Sequence, residues 1–195
     1  MISRIVFLTV LLLWVVATVV HAQGKEKAVD LAFSTYHVTY DYSLGIPVYI
    51  SYDVTPSDLG NVRRKKGWTF RQDKRLPKPR VKSSDYTNSG YQRGHMCPAA
   101  SRSASVKAMK ETFNMANVAP QAPSLNVGAW FLMENAEREL CRSLHRVHVR
   151  IAPIFTHGDT AKIAQGRVAV PHGFIKVIYA ADSITVIACQ LFNNQ

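Results

Sequence analysis

Residues 125–143, LNVGAWFLMENAERELCRS, read as a long helix standing between segments rich in β-formers. The stretch is rich in Leu, Met, Ala and Glu and holds no proline, which favours a helix. Ser124 precedes it as a suitable N-cap. Upstream, residues 38–54, VTYDYSLGIPVYISYDV, alternate and turn at 44–47, the pattern of a β-hairpin. Residues 105–114 suit a short helix, 115–119 a strand and 120–123 a turn. Residues 147–154, 167–170, 173–180 and 183–191 return to strand-forming composition. Strands, a helix and more strands, with no alternating βα rhythm, predict an α+β domain.

A chain of 195 residues is one domain by default. Residues 1–4 carry a positive charge, 5–20 carry no charge, and 20–22 offer small residues ahead of Gln23. That is the plan of a secretory signal peptide over 1–22. A retained anchor is the other reading, but the apolar run falls short of the roughly 20 residues of a spanning helix. The expectation is a secreted or periplasmic domain over 23–195, with no stable membrane association after cleavage. Cys97, Cys141 and Cys189 allow at most one internal disulfide, and the pairing is open.

Net charge is +11, which points to a polyanion: nucleic acid, anionic lipid or acidic polysaccharide. In residues 63–82 ten of twenty positions are Lys or Arg and only Asp73 is acidic. Trp68 and Phe70 sit in the middle of this run, and Pro77 and Pro79 close it. It reads as a loop-rich edge that grips phosphates rather than a merely solvated loop. Cys141, His145 and His148 have loosely zinc-like spacing, but no further motif completes four ligands. There is no Walker-type loop and no GxSxG elbow.

The chemistry points to residues 89–100, SGYQRGHMCPAA, and to the polar residues downstream of them. Asn117 lies in NMANVAPQ, and Asn126, Glu134 and Arg138 lie in the long helical stretch. At about 100° per residue, steps of four drift by only about 40°. Asn126, Trp130, Glu134 and Arg138 therefore form one slanting stripe. A plain reading is a surface Glu134–Arg138 pair worth a few tenths of a kcal/mol. The other reading is the floor of a phosphodiester site.

Gln92-Arg93-Gly94-His95 followed by AN-VAPQAPSLNVGAWFLMENAER, residues 116–138, resembles the DNA/RNA non-specific endonuclease family, the ββα-metal nucleases. That family carries a D-R-G-H motif and then a segment close to SNxxPQxxxLNxGxWxxLExxER. FRQDKRLP before the motif, and residues 169–178 after it, match more loosely. The resemblance implies a ββα-metal fold with a central antiparallel sheet and a long helix carrying the metal ligand. It implies hydrolysis of DNA and RNA with little sequence or sugar specificity. His95 matches the general base, Asn126 the ligand of a single Mg²⁺ (Mn²⁺ or another divalent cation being acceptable), and Glu134 the residue that orders water at the metal. Arg93 and Arg138 match phosphate-binding positions, and Asn117 a further polar position with a positioning role. Arg64 or Arg71 would supply one more phosphate contact.

These residue types suit the reaction. A neutral imidazole takes a proton from water near pH 7, an amide oxygen suits a hard cation, and guanidinium forks match phosphate. The departure from the family is Gln92 where Asp is usual. Glutamine keeps an acceptor oxygen, loses the charge and adds a methylene. A catalytically weak nucleic-acid-binding protein on the same fold is therefore the alternative.

Overall fold

Asp41 makes the turn between the second and third strands: its carboxylate accepts the backbone N–H groups of Ser43 and Leu44. This is a local Asx turn. Gly45 completes it with φ +70, and a Cβ there would lie 2.2 Å from the Arg167 carbonyl oxygen, so only glycine fits. A computed structural model of the chain describes residues 27–156 and 160–195; the leader expected at 1–22 lies outside the described residues. β1 (Ala28–Ala32), β2 (His37–Asp41) and β3 (Ile46–Val54) form an antiparallel meander around that turn.

The basic segment follows as irregular chain and leads into β4 (Gln92–His95). α1 (Val106–Glu111) starts at Ser105, whose hydroxyl accepts the Ala108 N–H at 3.1 Å. Residues Met115–Asn117 form a 3-10 turn rather than the expected strand. The strand β5 (Val118–Gln121) begins after it and pairs antiparallel with β4, Gln92 opposite Gln121 and His95 opposite Val118. Pro120 and Gln121, expected in a turn, are thus strand residues; proline is admitted because this is a two-stranded edge pairing.

The expected helix over 125–143 is two helices, α2 (Pro123–Val127) and α3 (Ala129–Leu144). They part at Gly128, where the backbone passes so close to Ser124 that a Cβ would lie 2.4 Å from its carbonyl oxygen. Pro123 starts α2, and Ala122 rather than Ser124 is its N-cap residue. Asn126 therefore sits on the short helix and not on the long one.

β6 (Val147–Ile154) pairs with β3; β7 (Lys162–Ile163) and β8 (Val168–Ala169) form a small ribbon; β9 (Gly173–Tyr179) and β10 (Val186–Asn193) complete the main sheet. The main sheet is antiparallel throughout, with order β1-β2-β3-β6-β9-β10.

α3 meets this sheet through Trp130, which is fully buried with its indole 5.4 Å from the Phe174 ring and 5.1 Å from Phe192. Further along the helix, buried Glu137 pairs with buried Lys176 at 2.5 Å and accepts from Tyr52 at 2.9 Å and Ser101 at 2.6 Å. A buried carboxylate is tolerable because every side of it is paired or hydrogen-bonded. The three cysteines are free thiols, Cys97 and Cys141 buried and Cys189 exposed. Among the described residues no helix is long and apolar enough to cross a membrane.

Candidate active site

β4 brings the site together because Gly94 lets it lie against Gln121. A Cβ on Gly94 would stand 2.2 Å from Gln121 Oε1, and Gln121 is fully buried. The next residue, His95, is anchored through its carbonyl, which accepts the Trp130 indole N–H at 3.2 Å. The turn after it is clamped by Asn117. Asn117 Oδ1 accepts the Cys97 N–H at 2.8 Å, and Nδ2 donates to the carbonyls of Cys97 and Thr112 at 2.9 and 3.0 Å. Asn117 is fully buried with its amide engaged inside the fold, so it positions the His95 turn rather than facing a substrate.

The His95 ring lies between aromatic neighbours, 4.8 Å from Phe70 and 4.8 Å from Phe113. Its Nε2 is buried without a partner. Burial first, and the Arg64 charge second, push its pKa down to about 3. Arg64 stands with its guanidinium 4.9 Å from the Phe113 ring centre. Of the two arginines open on sequence grounds, Arg64 is thus the one beside His95. Arg71 ties the basic segment down through its backbone, donating to Phe113 and accepting from Met115, while its side chain is exposed.

Arg93 Nε and Nη2 donate to the Ser83 carbonyl at 2.9 and 2.5 Å, and its guanidinium lies 5.7 Å from the Tyr86 ring centre. It braces β4 against the 3-10 turn Ser83–Tyr86.

Asn126 is met by Gln92. The Asn126 Nδ2 donates to Gln92 Oε1 at 2.6 Å. That bond fixes which end of the Asn126 amide faces away, and among the described residues no hydrogen bond reaches Asn126 Oδ1. On α3, burial raises the Glu134 carboxyl to about 7 against the pull of Lys176 and Arg138. Arg138 donates to Asn135, and its Nη1 is buried without a partner. Trp130, Glu134 and Arg138 thus form the expected stripe, with Asn126 ahead of them on a separate helix.

A family model for the DNA/RNA non-specific endonucleases matches residues 17–194. The chain belongs to the DNA/RNA non-specific endonuclease family. Among similar curated proteins, a nuclease of Nostoc sp. is 34% identical over 150 residues, covering 76% of this chain and 53% of that protein. Human mitochondrial endonuclease G is 34% identical over 154 residues, covering 74% of this chain and 52% of that protein. The chain spans about half the length of the curated relatives it matches. A crystal structure of an EndoG/EndoGI complex superposes with TM-score 0.77 at 29% identity, covering 85% of this chain and 74% of that one.

In this member of the non-specific endonuclease family, sequence reading missed Gln121. Neither polar atom of its buried side chain has a partner, and the same holds for His95 Nε2 and Arg138 Nη1. A buried unpaired polar group costs about 1–3 kcal/mol, so such atoms call for an explanation, and a ligand or ordered water is one. The signal was its place in VAPQ; the meaning comes from its packing on Gly94. Among the described residues no three His, Cys, Asp or Glu side chains gather as a metal cluster. A cation bound here would meet the Asn126 amide oxygen, whose amide is held by Gln92, with the Glu134 carboxyl on the next helix. A hard, oxygen-seeking cation that keeps several of its waters fits that donor set.

Proposed function

We propose that the chain is a metal-dependent endonuclease that hydrolyses phosphodiester bonds of DNA and RNA with little sequence or sugar specificity. The observation that carries this reading is the Gln92–Asn126 bond, which leaves one oriented amide oxygen open beside the strand of His95. Asn126 Oδ1 would hold Mg²⁺, with Mn²⁺ or another divalent cation as substitute. When bound, the ion supplies positive charge to the phosphate and to the departing oxygen.

The chain's own residues do the rest. His95 is neutral at physiological pH, because burial disfavours its charged form. With Nε2 shut away from solvent, Nδ1 is the nitrogen that takes the proton from the attacking water. Arg64 and Arg138 bring positive charge to the phosphate oxygens, and Glu134 orders water on the helix side. Asn117, Trp130 and Gln121 hold the His95 strand and its turn. Arg93 does so from the other side. Residues 63–82 add cations that read backbone rather than bases, so affinity falls steeply with salt. The sequence plan of residues 1–22 supports export of the domain as a further proposal.

A catalytically weak nucleic-acid binder on this fold is the second reading, and one observation favours it: Gln92 is neutral. Titration calorimetry with Mg²⁺ and Mn²⁺, run beside plasmid digestion, separates the two. The nuclease reading expects cleavage that chelator abolishes, and Asn126→Ala that folds yet loses both metal binding and cleavage. Cleavage that survives chelator or Asn126→Ala contradicts it.

A further inference from the structure

Trp68 is part-exposed within the basic segment. Among the described residues neither apolar cluster of the fold includes it. Its part-exposed indole meets the Phe113 ring edge-on at 5.7 Å, and the Lys110 ammonium stands 5.3 Å from the ring centre. The turn before it runs through Gly67 at φ +90, where a Cβ would meet nothing within 4 Å. Here a hollow of about 190 Å³ opens, lined by Gly67, Trp68, Thr69, Arg71, Lys110 and Phe113.

No acidic side chain lines this hollow. It is smaller than the ~300–1,000 Å³ pockets that take drug-sized ligands, a size for one planar ring system and not for a base pair. Its position is telling. Phe113 forms one wall and also touches the His95 ring at 4.8 Å. On the side of Phe70, which touches His95 too at 4.8 Å, lies a wider groove of about 560 Å³ carrying Lys74, Arg80 and Lys82. Arg71 lines both. An aromatic hollow with two cations and a basic groove, sharing Arg71, thus lie against the two rings that pack on the histidine.

We propose that the Trp68 hollow is a subsite for an unpaired nucleobase next to the phosphate held at His95, so that the chain grips single strands more tightly than duplex. The inference rests on the nuclease reading for its direction along the strand, and on the hollow itself for its ligand. Every base has a π-face, so stacking on an indole is tolerant of sequence, while Arg71 and Lys110 take the flanking phosphates. Exposed Lys110 moves from the indole to a phosphate when a base covers the ring. A base in duplex must first be unstacked and unpaired, which opposes entry.

The test is binding of the full chain, in excess chelator, to a labelled short oligothymidylate and to a duplex of equal length, read by anisotropy and by tryptophan emission. Trp68→Ala is expected to weaken the single strand by roughly tenfold, the scale of one lost base–aromatic stack, and to leave the duplex unchanged. Trp68→Phe is expected to keep most of the affinity while removing the emission quench that the single strand causes in wild type. If Trp68→Ala does not fold, that quench difference decides. Equal loss on both nucleic acids, no loss on either, or a quench that Trp68→Phe retains overturns the subsite. Because binding is read without cleavage, the two readings fail separately. A chain that stacks oligothymidylate through Trp68 but never cuts with metal keeps the subsite and loses the nuclease. A chain that cuts but binds single strands independently of Trp68 does the reverse.

Discussion

Gln92 and Asn126 are joined by a 2.6 Å hydrogen bond from amide to amide. Glutamine therefore does, without charge, the one task that this position visibly performs: it accepts the Asn126 N–H and turns the oxygen outward. Gln92→Leu removes the acceptor and lets the Asn126 amide rotate. It is expected to raise the Mg²⁺ concentration for half-maximal cleavage about 10–100-fold, the usual effect of losing a residue that orients a ligand. Gln92→Asp keeps the acceptor and adds a negative charge, so it should tighten metal binding and leave the rate within about tenfold. A Mg²⁺ titration of the three proteins checks this. A gain of several orders of magnitude for Gln92→Asp would show instead that charge, not orientation, is what the position needs.

Gly94 and Gln121 are in contact at a distance that excludes a methyl group. Gly94→Ala is expected to cost about 1–3 kcal/mol by overpacking, measured by denaturant unfolding. Adding Gln121→Ala should recover at least half of that loss, because the two sites share one space. A neutral Gly94→Ala would mean that the buried amide moves aside freely.

The pair Lys176 and Glu137 lies beneath α3 with no solvent exposure. Lys176→Met strands a buried carboxylate and should destabilise the fold by about 3–5 kcal/mol. Lys176→Met together with Glu137→Gln should restore most of it, since one of the Tyr52 and Ser101 hydroxyls keeps the amide oxygen as acceptor and the other can accept from the amide NH2. Unfolding curves that give the double variant no advantage would contradict the assignment.

Burial raises the Glu134 carboxyl from its ordinary 4.5 to about 7. The folded chain therefore holds this proton more tightly than the unfolded one. Its stabilising contribution is complete below the unfolded value and is lost as pH rises through about 7. In metal-free buffer the melting temperature should fall between about pH 5 and pH 8 by several degrees more in wild type than in Glu134→Gln. Superimposable pH curves would show that Glu134 is ionised throughout.

How much of this was legible in the sequence varied with the range of the interaction. Helix-forming composition located α3, and alternation located the β2–β3 hairpin, because both are local signals. The break at Gly128 was not legible, since it depends on how closely the backbone passes Ser124 in three dimensions. That break also puts Asn126 on α2, within reach of Gln92. The strand β1 escaped notice because AVDLA is short and mixed.

Among site residues, His95, Asn126, Glu134 and Arg138 stood out by motif spacing. The choice between Arg64 and Arg71 could not be made, because a run of Lys and Arg has no register of its own. In the fold, Phe113 holds the Arg64 guanidinium over its ring next to His95. Asn117 was legible with its positioning role, and Arg93 as a polar residue of the motif. Both make their bonds to backbone carbonyls brought near by the fold.

The most direct test of the central claim is digestion of supercoiled plasmid and of RNA by residues 23–195, with Mg²⁺ and with chelator, beside His95→Ala. The account expects both substrates to be cut with metal, neither with chelator, and neither by the variant. Cleavage that persists in His95→Ala, or none by well-folded wild type with any of several divalent cations, would contradict it.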